Sequence, residues 1–148
     1  MQFVDKQAAL TLEAEKCLPE QLPNKHLLLV DDEENVLRSL QRVLRRDGYT
    51  LHLANSAEKA LQILASQPVD VILSDHRMPG QSGTEFLSKV KDLYPRTVRL
   101  MLSGYTEVRS VTSAINEGAI YKFLTKPWDD DQLRANIKEA FQRHEMES

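Results

Sequence analysis

A chain of 148 residues with 41% hydrophobic content can build one well-buried core, and it is too short for two domains of ordinary size. Its net charge of −3 and pI near 5.8 provide no clustered excess of Lys and Arg, so direct binding to nucleic acid or an anionic membrane is not expected. A single cysteine, Cys17, excludes an internal disulfide and a cysteine metal cage, no run approaches the roughly 18 apolar residues of a membrane span, and a cytoplasmic protein is expected.

Residues 1–24 stand apart as an N-terminal extension. Asp5, Glu13 and Glu15 occupy positions where a secretory leader would be basic and then apolar. Phe3, Leu10, Ala14 and Cys17 follow a weak helical spacing that ends before Pro19 and Pro23, giving a short helix and a linker. The domain proper is expected over 25–148. Its first strand is read at 26–30, followed by a helix with the stripe Val36, Leu37, Leu40, Val43 and Leu44. A strand at 50–54 precedes a helix marked by Ala57, Ala60, Leu61 and Leu64, with Ser56 as its N-cap. The third strand, 70–74, leads to the stripe Phe86, Leu87, Val90 and Leu93. A strand at 97–102 and a helix marked by Val108, Val111 and Ile115 come next. The last pair is a strand at 120–125 and a helix carrying Leu133, Ile137 and Phe141. Leu27 to Val30 and Val71 to Leu73 are continuously apolar, as strands covered on both faces should be. Asp47-Gly48 and Glu117-Gly118 close helices, and Asp129 to Asp131 put negative charge at a helix start. Five βα units in this order predict a doubly wound parallel α/β sheet, whose functional loops lie at the carboxyl ends of the strands.

Those carboxyl ends carry Asp31 and Asp32 after the first strand, Asp75 after the third, Ser103 after the fourth and Lys126 after the fifth. Each has a plain structural explanation by itself: an N-cap, a turn former, a loop start, a solvated lysine. Together they bring three mutually repelling carboxylates to one edge, and a stable ionised cluster implies a divalent cation or a nearby lysine. An all-oxygen set of this kind suits Mg²⁺, which keeps several waters and accepts phosphate oxygens. A phosphoryl group on such an edge needs a metal, a cation and a hydroxyl donor, roles that fall to Asp31, Asp32 and Asp75, to Lys126 and to Ser103. Asp75 follows the central strand and is the best candidate nucleophile for an aspartyl phosphate.

The segments LLLVDDEENVL, VILSDHRMPGQSG, LMLSGYTE and YKFLTKPW, in this order, resemble the signature regions of the bacterial response-regulator receiver domain, over about residues 25–145. The resemblance implies a flavodoxin-like (βα)5 fold with strand order 2-1-3-4-5. It implies phosphorylation of Asp75, with Mg²⁺ bound, by a sensor histidine kinase or a phosphotransfer protein. Asp32 and Asp75 match its direct metal ligands, Asp31 the more distant acidic partner, and Arg77 the residue whose backbone carbonyl completes the set. Ser103 matches the switch hydroxyl, Lys126 the phosphate-contacting lysine, Phe123 the switch aromatic, and Pro127 the proline after a cis peptide bond. The face of residues 105–117, 120–124 and 129–143 would then change its preference for a downstream protein, an output domain beyond Ser148, or a second copy in a phosphorylation-dependent homodimer. Arg77 and Tyr105 are candidates for tuning phosphoryl lifetime, although an exposed arginine and an ordinary loop aromatic explain them equally well. His76 is read as a neighbour pointing off the edge, and Trp128 as either a packing residue or a partner contact. The wording of MPGQSG and INEGAIYKFLTKPWDD is similar to receivers that carry cyclic-dinucleotide or related enzymatic output modules.

Two rivals share the fold class. An aspartyl-nucleophile phosphatase would want Asp-x-Asp after the first strand, whereas here the pair is adjacent and runs on as Glu33-Glu34. A flavin-binding flavodoxin would want a hydroxyl-rich phosphate loop there, and two aspartates would repel the phosphate.

Overall fold

The structure is a computed structural model and describes residues 25–78, 80–104, 115 and 118–147. The N-terminal extension, Tyr105 and all but Ile115 of the fourth helical stripe lie outside the described residues. Five strands, β1 His26–Val30, β2 Thr50–Ala54, β3 Val71–Asp75, β4 Val98–Gly104 and β5 Lys122–Lys126, form one parallel sheet in the order β2-β1-β3-β4-β5. Helices α1 Glu34–Leu44, α2 Ala57–Ser66, α3 Gly83–Leu93 and α4 Asp130–Glu147 cover it. No helix among the described residues is long and apolar enough to cross a membrane.

The continuous apolar runs acquire two faces because successive side chains of a strand point to opposite sides. Leu28, Val30, Ile72 and Met101 pack with Ala60 and Leu64 of α2 and Phe86, Leu87 and Val90 of α3. Leu27, Leu29, Leu73, Leu100 and Leu102 pack with Leu37, Leu40 and Leu44 of α1 and Leu133, Ile137 and Phe141 of α4. Burying each such side chain stabilises the fold by roughly 1.5–3 kcal/mol, which holds the strand ends at one edge.

Local signals set the helix limits. Ser56 Oγ accepts from the Lys59 amide at 3.1 Å, Asp129 Oδ2 accepts from the Gln132 amide at 2.9 Å, and Gly48 closes the turn after α1 at φ 83°. Ser82 and Glu85 add a reciprocal capping box at the start of α3 that sequence reading missed. Leu93, expected in the α3 stripe, is 62% exposed, because it is the last residue of the helix and lies past the face that Val90 buries.

Three strands differ from expectation at their ends, and the difference matters for the site. β3 runs through Asp75 and β4 through Gly104, because the ladder continues past the apolar stretch, pairing Asp75 with Leu102, Ser103 with Thr125 and Gly104 with Lys126. Asp75, Ser103 and Lys126 therefore sit on sheet backbone and not on loops. β5 begins two residues late, and the chain before it is held by the Arg99 guanidinium, which donates to the carbonyls of Gly118 at 3.0 Å and Ala119 at 2.8 Å. The clamp fixes where β5 enters the sheet.

Candidate functional site

At the carboxyl edge, the ends of β1, β3 and β5 converge. Lys126 Nζ donates to Asp75 Oδ1 at 2.6 Å and lies 3.6 Å from Asp31 Oδ2. Asp31, Asp32 and Asp75 each bring a carboxylate oxygen within 4.8 Å of the others. Asp31 and Asp75 are buried, whereas Asp32 is exposed, so the cluster has a closed inner wall and an open outer side. Ser103 is fully buried beside them on β4, with its hydroxyl donating to the Gly104 carbonyl at 3.3 Å. The Lys126–Pro127 peptide bond is cis, as the resemblance implies.

The electrostatics follow from this burial. Loss of water pushes the Asp31 carboxyl up to about 6. The Glu33 amide, donating to Asp31 Oδ1 at 2.9 Å, opposes that rise, as does Lys126, while Asp75 and Asp32 add to it. Burial also pulls the Lys126 ammonium down, but the hydrogen bond to Asp75 and the charges of Asp75 and Asp31 outweigh it and hold Lys126 above its ordinary value. Asp31 Oδ2 is buried and receives no hydrogen bond. A buried carboxylate oxygen without a donor is costly, and a hard cation bound by oxygens would satisfy it. The acidic cluster can therefore hold a metal ion.

Other expected residues fall less neatly. The Arg77 side chain is exposed. Phe123 is half-buried and packs against the α2–α3 side of the core. Trp128 packs against the α1–α4 side, and its ring nitrogen donates to Asp130 at 3.0 Å, which favours the packing role. His76, read from the sequence as pointing off the edge, is not a solvent-facing side chain. It is buried, with its backbone amide donating to the Leu102 carbonyl at 3.0 Å, and burial and the nearby Arg77 charge lower its pKa against the pull of Asp75. Two supports escaped sequence reading. The Gly83 amide donates to the His76 carbonyl at 2.7 Å, tying the start of α3 to the end of β3, and the buried Ser74 hydroxyl donates to the Asp75 carbonyl at 3.0 Å. The second glycine of MPGQSG, Gly83, was the available signal for the first; nothing in the apolar strand singled out the second.

The sequence and the fold match known proteins. The response regulator receiver domain family matches residues 27–138. The hydrogenase transcriptional regulatory protein HoxA of Bradyrhizobium diazoefficiens is 41% identical over 121 residues, 82% of this chain and 25% of that protein. The DNA-binding transcriptional regulator NtrC of Escherichia coli is 31% identical over 117 residues, 79% of this chain and 25% of that protein. The chain thus spans about a quarter of the length of these curated relatives. The crystal structure of the signal receiver domain of an HD domain-containing protein from Pseudomonas fluorescens Pf-5 superimposes with a TM-score of 0.79 at 39% identity, covering 82% of this chain and 98% of that one. Nothing in these matches supports the phosphatase alternative. The chain belongs to the response regulator receiver domain family, and it is a phosphoacceptor signalling domain of two-component systems.

Proposed function

We propose that Asp75 is the phosphoacceptor and that the surrounding edge is built to form and read its acyl phosphate. The observation that carries this reading is the 2.6 Å contact from Lys126 to Asp75 beside two further carboxylates. Asp32 and Asp75 with the Arg77 carbonyl would hold Mg²⁺, and Asp31 would orient its water shell. Bound there, the ion neutralises charge on the transferring phosphoryl group. A carboxylate oxygen of Asp75 attacks phosphorus, the phosphorus–nitrogen bond of a phosphohistidine donor breaks, and that histidine departs with the electron pair. Lys126 keeps its ammonium and turns from the carboxylate to the new phosphoryl oxygens. Ser103 rotates its hydroxyl from the Gly104 carbonyl toward the phosphoryl group, and Phe123 moves inward behind it.

The donor is a sensor histidine kinase or a phosphotransfer protein. The output is carried by a further domain or partner protein engaging the face of residues 105–117, 120–124 and 129–143, with a phosphorylation-dependent homodimer as one form of that engagement. Arg77 and Tyr105 tune how long the phosphoryl group lasts. Residues 1–24 are an extension to the receiver domain at 25–148, which works in the cytoplasm.

Lys126→Ala is expected to accept phosphate from a small-molecule phosphodonor but to transmit the event poorly. Size-exclusion or sedimentation measurements with and without the donor check this, and an unimpaired phosphorylation-dependent shift in oligomeric state would count against the assignment.

Asp31 leads to a pH prediction. Its folded carboxyl lies above the ordinary unfolded value of about 4, so its contribution to metal-free stability is present below about pH 4 and lost as pH rises through about 6. A cation requires the carboxylate, so apparent Mg²⁺ affinity is expected to be about tenfold weaker at pH 5 than at pH 7. Thermal melts titrated with Mg²⁺ at both pH values measure it. Asp31→Asn is expected to flatten the difference, and equal affinities in the wild type would sink the proposal.

A further inference from the structure

The edge of the sheet opposite the phosphoacceptor also carries a cavity. It is a groove of about 670 Å³ between the end of α2, the approach to β3, the α3–β4 connection and α4. Leu64, Pro68, Val69, Tyr94 and Pro95 line it with apolar surface, and Arg96 stands exposed at its rim. Nothing in the phosphoryl chemistry uses it.

The chain enters the domain at this same edge. The His26 amide donates to Asp70 Oδ2 at 2.8 Å, the Asp70 amide donates back to the His26 carbonyl at 3.0 Å, and Asp70 itself lines the groove. His144, another lining residue, approaches Asp70 Oδ1 at 3.5 Å. The first strand of the domain therefore begins beside the groove. We propose that the segment Leu18-Pro19-Glu20-Gln21-Leu22-Pro23 of the same chain docks in this groove.

Three features of the sequence match the cavity. The two prolines fix their own φ and press Leu18 and Leu22 toward extended backbone, and aromatic- and proline-lined grooves favour such low-entropy extended segments. Leu18 and Leu22 supply apolar side chains to a predominantly apolar lining. The extension is acidic, with Asp5, Glu13, Glu15 and Glu20 against Lys6 and Lys16, and Glu20 lies between the two Leu-Pro pairs where it can meet Arg96. Reach is not limiting, since the six steps from Leu18 to Asn24 span up to about 20 Å. A tether this short holds the segment at a millimolar-scale local concentration, so even a weak contact is populated.

Cys17, the only cysteine, adjoins the segment and offers a site for the test in the full chain. A nitroxide attached to Cys17 is expected to weaken the NMR amide signals of residues 64–70 and 94–97 selectively. Those of residues 55–59, at the opposite edge, should be spared. Leu18→Asp combined with Leu22→Asp is expected to abolish the selective loss while leaving the remaining spectrum in place. Arg96→Glu is expected to reduce the loss. Broadening that persists unchanged in the double variant would reveal a passive tether and overturn the proposal. So would broadening seen only when labelled and isotope-enriched chains are mixed, which would place the segment on a second copy.

Discussion

Incubating the full chain with a small-molecule phosphodonor and Mg²⁺ is expected to add one phosphoryl group, and Asp75→Ala is expected to add none. The size of the effect follows from what the substitution removes. Positioning and charge neutralisation supply nearly all of the catalysis in phosphoryl transfer, and without the nucleophilic oxygen there is nothing to position. Neighbouring carboxylates are poor substitutes. Asp31 is buried with one oxygen committed to the Glu33 amide, and Asp32 has no comparable contact with Lys126. Intact-mass measurement under mildly acidic conditions gives the stoichiometry, and hydroxylamine release identifies an acyl phosphate. Labelling that survives in Asp75→Ala would move the acceptor elsewhere on the edge. Asp75→Asn, which keeps an oxygen for Lys126, separates loss of chemistry from loss of fold.

Gly83→Ala is the second large effect. On propensity alone, alanine in a helix is better than glycine by about 1 kcal/mol, so the change would stabilise α3 if space allowed. Space does not allow it. A Cβ at Gly83 would collide with the Asp75 carbonyl oxygen and lie 2.9 Å from His76 Cα, and both obstacles are backbone at the end of β3. The Met101 methyl at 3.0 Å could swing away, but the backbone cannot. Overpacking costs typically about 1–3 kcal/mol, and rigid backbone obstacles put this site near the upper end, enough to outweigh the propensity gain. For a domain of this size that lowers Tm by roughly 10 °C. Phosphorylation should slow as well, because the bond from the Gly83 amide to the His76 carbonyl is part of what holds Asp75 in register. A melting temperature equal to or above wild type would mean that α3 can step away from the strand at little cost.

These two residues also mark the border of what can be read without coordinates. Asp31, Asp75 and Lys126 were legible because parallel βα order sends every strand's carboxyl end to the same edge, so strand-end chemistry can be collected before any distance is known. The doubly wound sheet was legible for the same reason, since unbroken apolar strands alternating with amphipathic helices leave few other packings. Contacts that depend on tertiary closeness were not. Gly83 looks like one more turn glycine until the β3 backbone is seen against it. His76 has no second histidine or catalytic base beside it in the sequence, and nothing there marks its burial, which comes from packing at the end of β3. Leu93 satisfied a helical period but lies beyond the length of helix that the sheet covers. Likewise, the pairing of Arg134 with Asp47, at 2.8 and 3.1 Å, joins residues 87 apart whose charges carried no mark of each other.

The placement of the acidic residues and the lysine at the ends of three separate strands has a consequence for quality control. Lys126 and Asp75 are 51 residues apart and reach each other across the intervening β4. Asp31 joins them only when β1 has paired with β3. A sheet that lacks β1, β3 or β5 does not contain this arrangement. On the proposed reading, competence to be phosphorylated reports on folding: a copy in which β5 has not joined the sheet lacks the lysine that sits beside Asp75.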